Sequence, residues 1–472
     1  MEYTILRTGD AGLDEVLRGG LPEGNMYLMQ GPPGSGKTTF ALQFLRQGLA
    51  DGERALYVSL SQTEDELRRI AASHGWTLDG IEIVELVSET PASTDTQAIF
   101  LTSDLRLDRT RELVEKAVLD HEPHRLVYDS LLEVRLLTGD EQRFQRELIG
   151  LRSFLYERGI TTLLLDVEPT GQPLNDIQSR GIVHGILTLD KHLPEFGRAR
   201  RRLEVAKMRG VAVYDGWHDV DIRPGEGLKV FPRIVPEYRA DDDGDMGETL
   251  IRSGLQGLDE IFGGGMEPGT TTMVVGQAGT GKSTMASLYA AAALERGEDV
   301  ALFLFEERVE TFFRRSEGLG MDLRQYHAEG RLRLHDFNPD EISAGEFGKM
   351  VQKEANSDRL RVVVIDSFTG YMSSLANHRQ ALFDIQSLLK YLSRRNVLTI
   401  LVVAEQGLLG NRSGVALDLS FLGDTVLLLR MLEREGRIRR EIVAVKKRHG
   451  PHLLDVRELV IESGQVSIRE GE

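Results

Sequence analysis

One stretch of this chain is written twice. Residues 7–38 read RTGDAGLDEVLRGGLPEGNMYLMQGPPGSGKT and residues 252–283 read RSGLQGLDEIFGGGMEPGTTTMVVGQAGTGKS, at a constant offset of 245 with no gap. Both copies carry R-x-G, G-L-D-E, a glycine pair and a closing G-x-x-G-x-G-K. Solenoid repeats recur every ~20–50 residues because each is one small motif. A period this long means two whole domains, each large enough to bury its own core. The 472 residues divide accordingly into a first domain at 1–235 and a second at 250–472. The join, 233–250, reads RIVPEYRADDDGDMGETL. It is polar, acidic and without an apolar period, which marks 236–249 as a linker.

Each half alternates short apolar runs with helical patterns. The strand candidates are 26–30, 55–60, 125–129 and 161–166, then 271–275, 300–305, 361–366 and 398–404. Helix-length segments such as 38–49 and 283–294 fall between them. Near-continuous apolar strands separated by helices predict an α/β fold, a mostly parallel sheet covered on both faces. The β-rich segments 426–432 and 440–445 are expected to extend the sheet with antiparallel strands.

Composition narrows the function classes. There is no cysteine, which excludes disulfides, zinc ribbons and cysteine nucleophiles and fits a reducing, cytoplasmic compartment. The net charge of −17 argues against a dominant nucleic-acid or anionic-membrane surface. The longest apolar stretch, 397–404, is far short of the ~20 residues of a membrane helix. The start, MEYTILRTGDAGLDE, has no basic segment followed by an apolar one, so no secretory leader is expected.

The motifs G-P-P-G-S-G-K-T and G-Q-A-G-T-G-K-S each follow an apolar strand and open a helical pattern, the setting that a phosphate-binding loop requires. In the first copy the binding residues are Gly31, Gly34, Ser35, Gly36, Lys37, Thr38 and Thr39. In the second they are Gly276, Gly279, Thr280, Gly281, Lys282, Ser283 and Thr284. Glycines let backbone N–H groups converge on phosphate oxygens, and the helix N-terminus adds unpaired donors. The lysines should reach the β- and γ-phosphates of ATP, and Thr38 and Ser283 should hold Mg²⁺. Asp129 and Asp366 each end a buried strand and precede a serine, which makes them the metal-side carboxylates.

A carboxylate must also orient the attacking water. In the second half the strand 301–305 ends in Glu306-Glu307, at the place expected to face the γ-phosphate. The same offset leads to Ser61-Gln62 in the first half, and neither side chain is a carboxylate. The two sites are therefore expected to be chemically unequal, with hydrolysis in the second half. Late in each half come Lys207 and Arg209, then Lys446 and Arg448. On a strand such a spacing puts both cations on one face. They read either as arginine-finger-like groups for a neighbouring subunit's phosphate or as a solvated basic edge.

These residues together resemble the KaiC family of tandem RecA-like ATPases, over nearly the whole chain. The carriers are the duplicated R-[TS]-G…G-L-D-E…G-G segment, both P-loops, the strand-ending D-S pairs, Glu306-Glu307 and the two K-x-R segments. The resemblance implies two RecA-like P-loop domains and an ATP-dependent homo-oligomer, a hexameric double ring with nucleotide between subunits. Lys207, Arg209, Lys446 and Arg448 would then act across the interface. It also implies an autokinase acceptor region, matched here by 418–425. Ser420 aligns with the first acceptor and Phe421 replaces the second. The sequence ends soon after Val466, without the tail through which the family's clock protein is regulated, so a role outside a three-protein oscillator is expected. Two rivals share the ATP site. One is a RecA-type DNA-dependent ATPase, which needs basic mobile loops. The other is a non-catalytic ATP-gated scaffold for an unidentified signalling partner.

Overall fold

The computed structural model describes residues 4–86, 103–167, 177–193, 198–234, 249–338, 342–373, 375, 378–405, 419–434 and 436–470. The chain forms two compact units, Met1–Arg233 and Ile234–Glu472. The expected linker at 236–249 falls almost wholly outside the described residues.

In the first unit a short pair, β1 (Ile5–Leu6) and β2 (Leu21–Pro22), precedes a nine-stranded sheet. Its strands are β3 (Met26–Gly31), β4 (Ala55–Ser59), β5 (Ile81–Glu85), β6 (Arg125–Asp129), β7 (Thr161–Val167), β8 (Gly185–His192), β9 (Arg200–Met208), β10 (Trp217–Arg223) and β11 (Gly227–Phe231), in the order β11-β10-β9-β8-β3-β7-β6-β4-β5. β8, β3, β7, β6, β4 and β5 run parallel, and β9, β10 and β11 follow as antiparallel neighbours.

The second unit repeats this plan with β12 (Thr271–Gly276), β13 (Asp299–Leu304), β14 (Leu332–Asp336), β15 (Leu360–Asp366), β16 (Leu398–Ala404), β17 (Thr425–Arg434), β18 (Arg437–Lys447), β19 (Arg457–Glu462) and β20 (Gln465–Glu470), ordered β14-β13-β15-β16-β12-β17-β18-β19-β20. One expectation is corrected. The segment 426–432 lies in β17, which runs parallel to the P-loop strand β12; the antiparallel extension begins only at β18. An apolar run does not reveal its direction, which depends on where the preceding connection re-enters the sheet.

Both faces of each sheet are covered, and the period of two sorts the strands between them. In β3, Tyr27 and Met29 join one core while Met26 and Leu28 join the other. In β15, Val362 and Val364 face one side and Val363 and Ile365 the other. The helix Lys282–Glu295 is buried nearly all round, so its four consecutive alanines let the sheet approach closely. The duplicated G-L-D-E segment also finds its physical reason. Asp14 Oδ1 accepts from the Thr8 amide at 2.8 Å and its hydroxyl at 2.7 Å, and Asp259 Oδ1 binds Ser253 in the same way, both at 2.8 Å. That pair ties the entry of each domain to its first helix; it is structural rather than chemical.

Candidate functional site

β3 and β12 each end in a loop that turns into a helix beginning at the lysine, Lys37–Ala50 and Lys282–Glu295. The residue before each lysine is a left-handed glycine, Gly36 at φ +109° and Gly281 at φ +105°. The backbone angle favours glycine at both, and a Cβ at either would also lie 2.7 Å from an isoleucine Cδ1, that of Ile222 or Ile461, which would have to shift. Lys37 Nζ folds over its own loop, donating to Gly31 O at 2.6 Å and Pro32 O at 3.1 Å; Lys282 Nζ donates to Gln277 O at 2.8 Å. Burial holds both ammonium groups below their ordinary pKa. Asp129 and Asp166 oppose this for Lys37, and Asp366, Glu306 and Glu405 oppose it for Lys282. The Ser35 hydroxyl is buried without a partner among the described residues. A half-desolvated cation, an unpartnered hydroxyl and a cradle closed to side chains fit a phosphate chain.

Asp366 stands beside Ser283, whose hydroxyl hydrogen-bonds to its carboxylate, and burial pushes its pKa up. Asp129 is likewise raised by burial, and its Oδ2 accepts from the Tyr57 hydroxyl at 2.6 Å. Among the described residues no three Asp, Glu, His or Cys side chains converge as a metal cage. A divalent ion here would be held by one hydroxyl and one carboxylate and would complete its shell with phosphate oxygens and water, as Mg²⁺ does.

The two second-half glutamates are not equivalent. Glu306 is exposed at the end of β13, where its Oε1 accepts from Ser367 Oγ at 2.5 Å. Glu307 is engaged by the Arg315 guanidinium at 2.8 and 3.1 Å. In the first half Ser61 and Gln62 occupy the corresponding positions. The preceding residue makes the same bond in each repeat, Leu60 N to Asp129 O at 2.6 Å and Phe305 N to Asp366 O at 2.7 Å. The first site nevertheless contains a carboxylate that the sequence reading missed. Glu133, in the helix Leu131–Thr138, accepts from Ser130 Oγ at 2.6 Å and helps push up the pKa of Asp129. A second oversight is a matched pair of arginines. Arg201 of β9 and Arg440 of β18 donate to the P-loop carbonyls of Gly34 at 3.4 Å and Gly279 at 3.1 Å.

Lys207, Arg209, Lys446 and Arg448 are not brought to their own P-loops. Lys207 pairs with Ile186, and β8 sets Ile186 against Leu28, toward the start of β3. Lys446 pairs with Val426, which sits against Met273, toward the start of β12. Both thus lie toward the end of the sheet away from Gly31 and Gly276. Lys207 Nζ donates to Arg180 O and, at 2.8 Å, to Val183 O; Lys446 Nζ donates to Ser420 O at 2.9 Å and Gly423 O at 2.7 Å. Arg209 caps Gly181 O at 2.6 Å, and Arg448 pairs with Asp424 at 3.0 Å. Ser420 is in a half-buried turn at this same far end, followed by an exposed Phe421; Asp418 lies outside the described residues. Among the described residues no helix is long and apolar enough to cross a membrane.

The family model for the KaiC ATPase matches twice, over residues 6–234 and 251–472. The circadian clock protein KaiC3 of Synechocystis sp. is 27% identical over 464 residues, covering 97% of this chain and 90% of that protein. The circadian clock oscillator protein KaiC of Synechococcus elongatus is 25% identical, covering 98% and 89%, and that of Parathermosynechococcus lividus 24%, covering 98% and 85%. The chain, with two RecA-like domains of one plan, therefore belongs to the KaiC family of ATPases.

Proposed function

We propose that the protein hydrolyses ATP mainly in its second half, while ATP in the first half serves chiefly to hold a ring of subunits together. The observation that carries this reading is the set Lys282, Ser283, Asp366 and Glu306 gathered at one strand edge. Lys282 holds the terminal phosphates. Ser283 with Asp366, and Thr38 with Asp129, would hold Mg²⁺, which when bound offsets the triphosphate's charge. Glu306, oriented by Ser367, takes a proton from water as its oxygen bonds to the γ-phosphorus; the P–O bond to the β-phosphate breaks, and ADP departs with that electron pair. Lys207, Arg209, Lys446 and Arg448, remote from their own P-loops, face the phosphates of an adjacent subunit in a hexameric double ring. The same chemistry directed at Ser420 in place of water would make the second domain a serine autokinase. Phe421 limits any such modification to one site.

Mass measurement with and without ATP tests the division of labour. Lys37→Ala should lower the oligomer mass more than Lys282→Ala, and equal losses would count against it. Incubation with Mg·ATP followed by peptide mapping tests the kinase reading. Phosphate on Ser420 that disappears in Lys282→Ala supports it, and an unmodified Ser420 after many turnovers leaves an ATPase alone.

A further inference from the structure

We propose that the first half has its own water-orienting carboxylate, Glu133, supplied from a different element than its counterpart Glu306. The inference rests on reading both P-loop sites as ATP sites.

The serine after the strand-ending aspartate is the common reference. Ser130 and Ser367 are 6% and 2% exposed, and each gives its hydroxyl to one glutamate, at 2.6 Å to Glu133 and 2.5 Å to Glu306. The acceptors come from different elements. Glu306 follows β13, whereas Glu133 stands in the first turn of the helix after β6. The exchange is reciprocal. Where the second half has Glu306 the first has Ser61, and where the first has Glu133 the second has Gly370. A Cβ placed on Gly370 would lie 3.1 Å from Phe305 Cβ and 3.4 Å from Glu306 Cγ. The two positions therefore serve the same space, each repeat filling it with one glutamate.

The competing account is a helix cap, since Ser130-Leu-Leu-Glu133 has the S-x-x-E pattern. The serine does not act as one: its side chain makes no hydrogen bond to the helix backbone and is spent on the carboxylate. Glu133 would take the proton of a water whose oxygen bonds to the γ-phosphorus, with the β–γ bridging P–O bond breaking and its electrons leaving on ADP. First-site turnover would then limit how long ATP holds an assembly together.

The test uses the full chain carrying Lys282→Ala, which silences the second site. Glu133→Gln should lower the remaining turnover ~100-fold or more. It should weaken binding of Mg·ADP·aluminium fluoride at least tenfold while leaving affinity for a non-hydrolysable ATP analogue and the thermal midpoint unchanged. Moving the carboxylate, Ser61→Glu with Glu133→Gly, should recover both losses, which a helix-stabilising glutamate would not. Unchanged aluminium fluoride affinity in Glu133→Gln, or no recovery by a folded, nucleotide-binding relocated pair, overturns the proposal. Lys37→Ala in the same background separates the two levels: nucleotide binding at the first site that survives this change refutes the ATP-site reading itself, whatever Glu133 does.

Discussion

Glu306 and Glu307 are adjacent, yet their surroundings predict opposite phenotypes. Among the described residues Glu306 is held through one oxygen by Ser367, and of the two glutamates it is the one that acts on Lys282, while both act on Asp366. Glu306→Gln keeps the volume and removes the proton acceptor. General-base loss is worth about 10²–10⁴-fold in turnover, or about 3–5 kcal/mol in barrier. Glu307 is bound at two oxygens by Arg315, in a pair only 20% and 25% exposed. Glu307→Gln leaves that guanidinium with Ser287 Oγ at 3.3 Å and weaker amide contacts. The expected loss is about 1–2 kcal/mol of stability for such a half-buried pair, with turnover changed only a few-fold. Phosphate release at saturating ATP, nucleotide affinity and thermal midpoint separate the cases. Glu306→Gln should fall to the floor set by the first half, measured in Lys282→Ala, with binding intact. Glu306→Gln within threefold of wild type, or a folded Glu307→Gln losing as much, would refute the assignment.

Two further predictions concern stability of the first unit. Arg125 is fully buried, bonded to Glu53 at 2.5 Å, to Asp51 at 3.3 Å and to two backbone carbonyls, so Arg125→Ala should cost about 3 kcal/mol by taking from Glu53 its cation and leaving Asp51 with Arg7 alone, read as a lowered denaturation midpoint. His218 is 1% exposed, with Nδ1 accepting from Arg233 N and Nε2 facing Tyr214 O, and burial lowers its pKa, with Arg233 adding to the fall and Asp219 and Glu15 opposing it. The neutral ring is thus favoured by folding: its contribution is complete above the unfolded value of about 6.5 and is lost as pH falls through that value, so His218→Gln should flatten the loss of stability between pH 7 and 5. A denaturation series that shows the same slope in both proteins would remove His218 from the account.

Much of this was legible without coordinates, for reasons visible at single residues. The P-loops are local: strand, glycines, lysine and helix lie within 25 consecutive residues, 26–50 and 271–295, so spacing alone identifies them. The core strands announce themselves because parallel strands are apolar on both faces. Glu133 was hidden because S-x-x-E before an apolar run reads as a helix cap, and only the tertiary bond from Ser130 distinguishes the uses. Arg201 was hidden among the neighbouring arginines at 200–202, of which strand pairing selects one to reach Gly34. The edge strands β5 and β14 went unread because each is fully buried at only one position, Ile81 and Leu332. Arg125 itself is the reverse lesson. A charged residue opened an expected buried strand, where the second half has the fully buried Val362, and the fold accepts it by building a carboxylate and carbonyl cage around the guanidinium.

The position of Lys446 and Arg448 bears most directly on assembly. A strand advances ~3.3 Å per residue, so the three steps from Met273, level with Lys446, to Gly276 already separate them by about 10 Å before the P-loop begins. Arg448 is tethered to Asp424 on the far side of that interval. A cation there meets a γ-phosphate only if another chain presents its P-loop edge to this edge, which is a head-to-tail contact, and head-to-tail contacts close into rings when the rotation allows. This makes a complementation experiment informative. Arg448→Ala should reduce turnover while leaving nucleotide affinity near wild type, because the P-loop's own contacts remain. Lys282→Ala subunits lack the phosphate lysine but still offer Arg448, and Arg448→Ala subunits offer the reverse. When the two inactive proteins are co-assembled, some interfaces combine an intact Lys282 with an intact Arg448, and phosphate release should return in part. A mixture shown by mass to co-assemble, yet without any recovered turnover, would assign Arg448 to its bond with Asp424 and remove it from the chemistry.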